Sequence, residues 1–291
     1  MPRRAGRVCL SVMLSALVVS GCAQTANPPQ NGTTDWPAPS GVEAGPLSSP
    51  APIGAAAGQS SPDIGELPGG LTLESTLLAG PPTTEPLTFE PIGHTQAEVL
   101  ARHAAERLRA YALEVRSDDQ YRPTLTAEWA GGTLLARIDS DPTTQAQTAR
   151  LLEDGQVIFT VPAGFPSPAV PLQGLWTYDD HWALELLMAT QDEWKGEVFV
   201  DDQLLNDQLG YDEAFGFQLL DGKPFYFYQK GGTIGVNFDG TSTDLGYTRV
   251  IHYECCSGSV LNPVKAHAMV AFFAEEAGGW RYVEIGVFNR P

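Results

Sequence analysis

From Tyr121 onward, short apolar or alternating runs are separated by Asp-Gly and Gly-Gly pairs. Such pairs supply the positive φ angles that tight hairpins need, and alternation with period two marks strands. The pattern predicts strands over 125–129 and 133–138 around Gly131-Gly132, and over 149–152 and 156–161 around Asp154-Gly155. A proline-rich joint, 162–171, follows. Strands over 215–220, 224–230 and 233–238 then flank Asp221-Gly222 and Gly231-Gly232, and Asp239-Gly240 turns the chain again, which makes a β-meander. A last pair, 268–274 and 280–287, flanks Gly278-Gly279. Phe225-Tyr226-Phe227-Tyr228 is aromatic on both faces of its strand, so that strand is expected to be central and covered on both sides.

One segment has a different period. Ala97, Leu100, Ala101, Ala104, Leu108, Tyr111, Ala112 and Val115 recur at steps of three and four, which places them on one helical face. Thr95 followed by Glu98 has the form of a capping box. An amphipathic helix is expected over 95–116. The fold class expected is therefore mainly β, α+β overall: one N-terminal amphipathic helix, then antiparallel hairpins and meanders in an open sheet, a sandwich or blade-like repeats. Leu209-Gly210-Tyr211 recurs as Leu245-Gly246-Tyr247, and the run from Gly196 aligns with the run from Gly232 at the same offset. This weak repeat favours repeated meanders.

Before this region the pattern nearly disappears. Residues 23–91 contain 13 of the 23 prolines, no lysine or arginine, and two aromatics, Trp36 and Phe89. Such a composition offsets little of its ordering entropy by burial. It reads as a disordered tether with a reach of roughly 45–50 Å. The mildly apolar patch 71–78 is its one candidate for transient docking. Further upstream, Arg3, Arg4 and Arg7 precede an apolar run, 8–19, too short for the about 20 residues a membrane span needs. The run closes on Val19-Ser20-Gly21-Cys22. These residues resemble the lipobox of bacterial lipoproteins. The resemblance implies cleavage before Cys22, acylation of that cysteine, and residence at the bacterial cell membrane, facing the extracytoplasmic side. The expected organisation is a signal peptide over 1–21, a lipid-anchored linker over 22–91, a helix-plus-hairpin region over 92–162 and an aromatic-rich β-module over 172–291.

Charge narrows the partners. The chain of 291 residues has a formal net charge of −18. Loss of 1–21 removes three arginines and no acid, leaving −21. So acidic a surface argues against nucleic acid and anionic membrane surfaces. Of four cysteines, Cys9 leaves with the signal and Cys22 is the expected acylation site. Cys255 and Cys256 remain, adjacent in an oxidising compartment. They either bond to each other, stay reduced or pair with another molecule. A bond between neighbours would be strained and easily reduced.

The search for chemistry gives little. The histidines His94, His103, His181, His252 and His267 lack zinc spacing. His252-Tyr253-Glu254-Cys255-Cys256 gathers potential ligands, but on a strand His252 and Glu254 share one face and Cys255 points away. No cofactor and no metal is expected. The acidic pairs Asp139/Asp141, Asp179-Asp180, Asp201-Asp202 and Asp239/Asp244 read first as solvated turns. His252, Glu254, Tyr226 and Tyr228 are the candidates for binding a partner.

The runs GYDEAFGFQLLDGKPFYFYQKGGTIGVNFDG, HYECCSGSVLNP and MVAFFAEEAGGWRYVEIGVF resemble an uncharacterised family of secreted bacterial proteins. That resemblance covers about 172–291 and brings no catalytic residue with it. The function expected is that of a membrane-anchored, non-catalytic module that binds an envelope protein or glycan. Two alternatives stand beside it: an extracytoplasmic hydrolase of glycan or peptide, with carboxylates near Asp179-Asp180 or with His252 and Glu254, and a redox or stress sensor using Cys255 and Cys256.

Overall fold

The computed structural model describes residues 63–80, 82, 87, 90–101, 124–167, 170–190, 194–253 and 263–288, all within one compact unit, Ala56–Pro291. In chain order the elements are β1 (Asp63–Glu66), a 3-10 turn (Pro68–Gly70), β2 (Thr72–Leu77), helix α1 (96–101), β3 (Thr124–Trp129), β4 (Gly132–Ser140), β5 (Gln147–Glu153), β6 (Gln156–Pro162), β7 (Leu172–Tyr178), β8 (His181–Ala189), β9 (Trp194–Val200), β10 (Gln203–Leu204), helix α2 (Leu205–Leu209), β11 (Glu213–Leu220), β12 (Lys223–Lys230), β13 (Thr233–Phe238), β14 (Thr241–Tyr247), β15 (Arg249–Val250), β16 (Val264–Lys265), β17 (Met269–Glu276) and β18 (Gly279–Gly286).

The strands form four antiparallel sheets. Sheet I is β3–β6, sheet II β7–β10 and sheet III β11–β14, each a meander of consecutive strands. Sheet IV runs β1-β2-β18-β17-β15, with β16 also beside β17. Hydrophobic clusters join the sheets face to face. Leu134, Ile138 and Leu151 meet Leu184 and Phe199 between sheets I and II. Ala183 and Val198 meet Phe217 and Tyr226 between II and III. Phe215 and Phe227 meet Phe272 and Val283 between III and IV. Val99 of α1 lies with Met269, Phe273 and Tyr282 on the far face of sheet IV. The fold is mainly β, and the sheets form an open stack.

Tight turns set the registers. Asp154-Gly155, Asp201-Asp202, Asp221-Gly222, Gly231-Gly232 and Asp239-Gly240 all have positive φ at both positions, the requirement of two-residue type I′ hairpins. At the first hairpin the loop is Ala130-Gly131, with Gly132 already paired to Trp129. Strands β7 to β10 were not marked in the sequence, because Asp179-Asp180 and Asp201-Asp202 lack the glycine that signals such turns. Strand β12 meets expectation: Phe225 and Phe227 pack toward sheet IV, Tyr226 and Tyr228 toward sheet II. The repeat also has a structural meaning. Leu209-Gly210-Tyr211 and Leu245-Gly246-Tyr247 each lead from one sheet into the next, with Gly210 and Gly246 at φ 65 and 73 and both tyrosines buried.

Two domain expectations are corrected. The tether is not unstructured throughout. Strand β2 pairs with β18 from Thr72↔Gly286 to Leu77↔Arg281, and Leu71 and Leu73 enter the core between sheets III and IV. The alternation in this short stretch is drowned by the surrounding proline-rich composition, and its partner lies more than 200 residues away. The helix and the hairpins over 92–162 do not form a region of their own either. The described part of the helix packs on sheet IV, whereas β3–β6 pack on sheet II, so both belong to the stack that includes 172–291. The expected helix beyond residue 101, the signal peptide and Cys22 lie outside the described residues.

Candidate functional site

A buried polar junction lies where sheets II, III and the strand connections of sheet IV meet. It starts from Glu185, the one acid within the apolar strand β8 and 1% exposed. Alternation sends Leu184 and Leu186 toward sheet I and Glu185 toward sheet III. There β11 is bulged: Phe215 pairs with Phe227, but the next pair is Gln218 with Phe225. Gly216 takes φ 66 in the bulge, which frees backbone donors from the ladder. The Gly216 and Phe217 N–H groups donate to the two oxygens of Glu185 at 2.6 and 2.9 Å. The Tyr253 hydroxyl donates to the same carboxylate. Burial, and then the charge of Glu185, push the Tyr253 phenol well above its ordinary range, so it acts as a donor.

Lys265 approaches from β16. Its Nζ lies 3.6 Å from Glu185 Oε2, donates to the Phe217 carbonyl at 3.0 Å and sits 5.3 Å from the centre of the Trp176 ring. A second carboxylate stands beside the first. Glu213, 9% exposed, accepts from the Gly196 N–H at 2.6 Å and lies 3.1 Å from His252 Nε2. His252 Nδ1 is 2.6 Å from the Val250 carbonyl, which fixes a proton on that nitrogen, and its ring stacks on Phe215 at 3.6 Å. Gly196 is required here: a Cβ would come within 2.5 Å of the Ala214 carbonyl oxygen and 2.9 Å of the Tyr253 hydroxyl. Asn206 closes the network by donating to the Gly196 carbonyl at 3.0 Å.

The junction ties both flanks of one chain segment. His252 and Tyr253 are held to Glu213 and Glu185 on one side, and Lys265 to Glu185 and Phe217 on the other. Between them runs the segment with Glu254, Cys255 and Cys256, which lies outside the described residues. Chemically, both oxygens of Glu185 accept from backbone and side-chain donors, an arrangement that positions chain, while Glu213 takes the Gly196 N–H and the His252 contact on one oxygen.

Of the candidate binding residues, His252 is in the junction, with 18% of its side chain exposed. It is not on a strand: β15 ends at Val250 and Tyr253 has φ 52, while Glu254 lies outside the described residues. Tyr226 and Tyr228 are corrected outright. They are 4% and 7% exposed, with Tyr211 stacked on Tyr228 at 4.3 Å, and they are core. Glu185, Glu213 and Lys265 were missed. The lone acid in an otherwise apolar Trp182–Ala189 run was the available signal for Glu185.

Most of the acidic-pair residues are in turns, but Asp139 lies within β4 and Asp244 within β14, so those two correct the expectation. Asp141 accepts from the Thr143 and Thr144 N–H groups at 2.7 and 2.9 Å, and these bonds, that from Thr144 foremost, hold its carboxyl below the usual range. Asp201 accepts from the Trp182 N–H at 3.0 Å and pairs with His181, whose pKa is raised chiefly by that hydrogen bond. Burial, with Asp201 and Asp179 adding to it, pushes Tyr178 up to about 12. Among the described residues no three His, Cys, Asp or Glu side chains gather as metal ligands, and no helix is long and apolar enough to cross a membrane. A cleft of about 410 Å³ opens elsewhere, by the β1–β2 turn, lined by Glu66, Leu67, Thr72 and Phe288 among others. No protein-family model matches this chain, and no curated protein matches it.

Proposed function

We propose that this chain is an extracytoplasmic lipoprotein of a bacterial envelope whose β-stack is a non-catalytic binding module. The observation that carries the reading is Val19-Ser20-Gly21-Cys22 at the end of a short apolar run behind three arginines. Two or more acyl chains on Cys22 would anchor it stably, where one would hold only marginally. The segment 23–62, which has eight prolines and no basic residue, would then link the anchor to β1. The backbone and Tyr253 donors on both oxygens of Glu185 support a positioning role for that carboxylate. The test is expression of the full chain with a labelled fatty acid. Label and membrane retention are expected for the parent and lost together in Cys22→Ala; label-free protein at the membrane would refute the anchor.

A redox-responsive reading is favoured by one observation. Both flanks of the segment with Cys255 and Cys256 are tied to buried carboxylates, which would hold its ends fixed while the cysteines change state. Thiol labelling before and after mild reductant tests it. Two thiols that appear only after reduction support the reading; two thiols free from the start remove it.

A further inference from the structure

The outward face of sheet I carries a row of matched polar residues. Leu134, Ala136 and Ile138 of β4, with Ala149 and Leu151 of β5, point into the core against sheet II. Arg137, Asp139 and Arg150 therefore face outward. The register places Thr124 opposite Arg137, Arg137 opposite Arg150, and Arg150 opposite Thr160, one straight row across all four strands. Like charges directly opposite on neighbouring strands destabilise a sheet. Here two guanidinium groups share one carboxylate: Arg137 Nε and Arg150 Nε lie 3.4 and 3.3 Å from the same oxygen of Asp139. Both Nε atoms are buried and neither makes a hydrogen bond. The side chains are 31% and 41% exposed, so part of each reaches solvent. The cluster has an excess of one positive charge in a chain whose net charge is −18.

We propose that this row binds the carboxylates of an acidic glycan, a proposal that rests on the envelope-facing reading above. The planar fork of arginine matches a carboxylate with two parallel hydrogen bonds, and a ligand carboxylate supplies the second negative charge that the pair of arginines lacks. Thr124 and Thr160 place hydroxyls at the two ends of the row, suited to sugar hydroxyls. Strands repeat about every 4.8 Å, close to the step of one pyranose along an extended glycan, so successive sugars lie over successive strands. Asp139 competes with the ligand for both arginines.

The test is calorimetric titration of the mature chain, at low ionic strength, with a polygalacturonate oligosaccharide, a neutral oligosaccharide of equal length and polyphosphate. Saturable binding is expected for the galacturonate alone. Arg137→Gln and Arg150→Gln should each weaken it roughly tenfold, and Asp139→Asn should tighten it. Arg150→Lys keeps the charge without the fork and should fall between parent and Arg150→Gln, with the urea midpoint of each variant showing that the fold is intact. Absence of binding, binding indifferent to Arg150→Gln and Asp139→Asn, or equal binding of polyphosphate overturns the proposal. The titration does not depend on acylation, so failure of the anchor and failure of this site are read separately.

Discussion

Glu185 accepts from the backbone of Gly216 and Phe217, so its removal leaves two buried N–H groups and a neighbouring lysine without their carboxylate. Glu185→Ala should therefore cost about 3 kcal/mol or more, and Tyr253→Phe, which deletes one bond to a charged acceptor, about 1.5–3 kcal/mol. Urea unfolding of both variants checks this. Equal stability of Glu185→Ala and the parent would mean that the junction is not a clamp. The same residues show why sequence reasoning found His252 and missed its partners. A histidine beside two cysteines is conspicuous in any chain. Glu185 acquires meaning only from a bulge in β11, a strand it does not border in sequence, and Glu213 only from Gly196 and His252, both distant in sequence.

At the scale of elements, β2 is the strand on which sheet IV depends. It covers the edge of β18 along six residues and adds Leu71 and Leu73 to the core. Removal of residues up to 60 should leave the unfolding midpoint unchanged. Removal up to 78 exposes the β18 edge and should give aggregation or loss of a cooperative transition. Strand β2 also brings Glu74 directly opposite Glu284, both buried, with Tyr282 donating to Glu284 at 2.8 Å. Burial, and then the charge of Glu284, raise the Glu74 pKa above its ordinary 4.5. A carboxyl raised in the folded state binds its proton more tightly there than in the unfolded chain. Its unfavourable effect is absent below that ordinary value and grows as pH rises from there to the folded one, above which it is complete. Glu74→Gln should match the parent in acid and exceed it in stability at pH 7, as thermal unfolding across that range will show. Hairpins with Asp-Gly and Gly-Gly turns were legible because their backbone needs are local. Strand β2 was not, because pairing with a strand 200 residues distant leaves no mark on local composition.

At the scale of the whole molecule, three meanders and a fourth sheet that joins strands distant in sequence stack face to face without closing, and each buries one side or both against its neighbours. The burial of both faces of β12 explains why its tyrosines are core and not a binding surface. In such a stack a ligand site falls on an outer face, a free edge or a connecting loop, and the Arg137–Arg150 row lies on an outer face. We propose, from Val19-Ser20-Gly21-Cys22, that this surface faces the envelope. Intact mass of the protein extracted from membranes is the most direct measure of that account. It predicts a chain that begins at Cys22 with added diacylglyceryl mass, whereas an unmodified mass, or a chain that begins elsewhere, would contradict it.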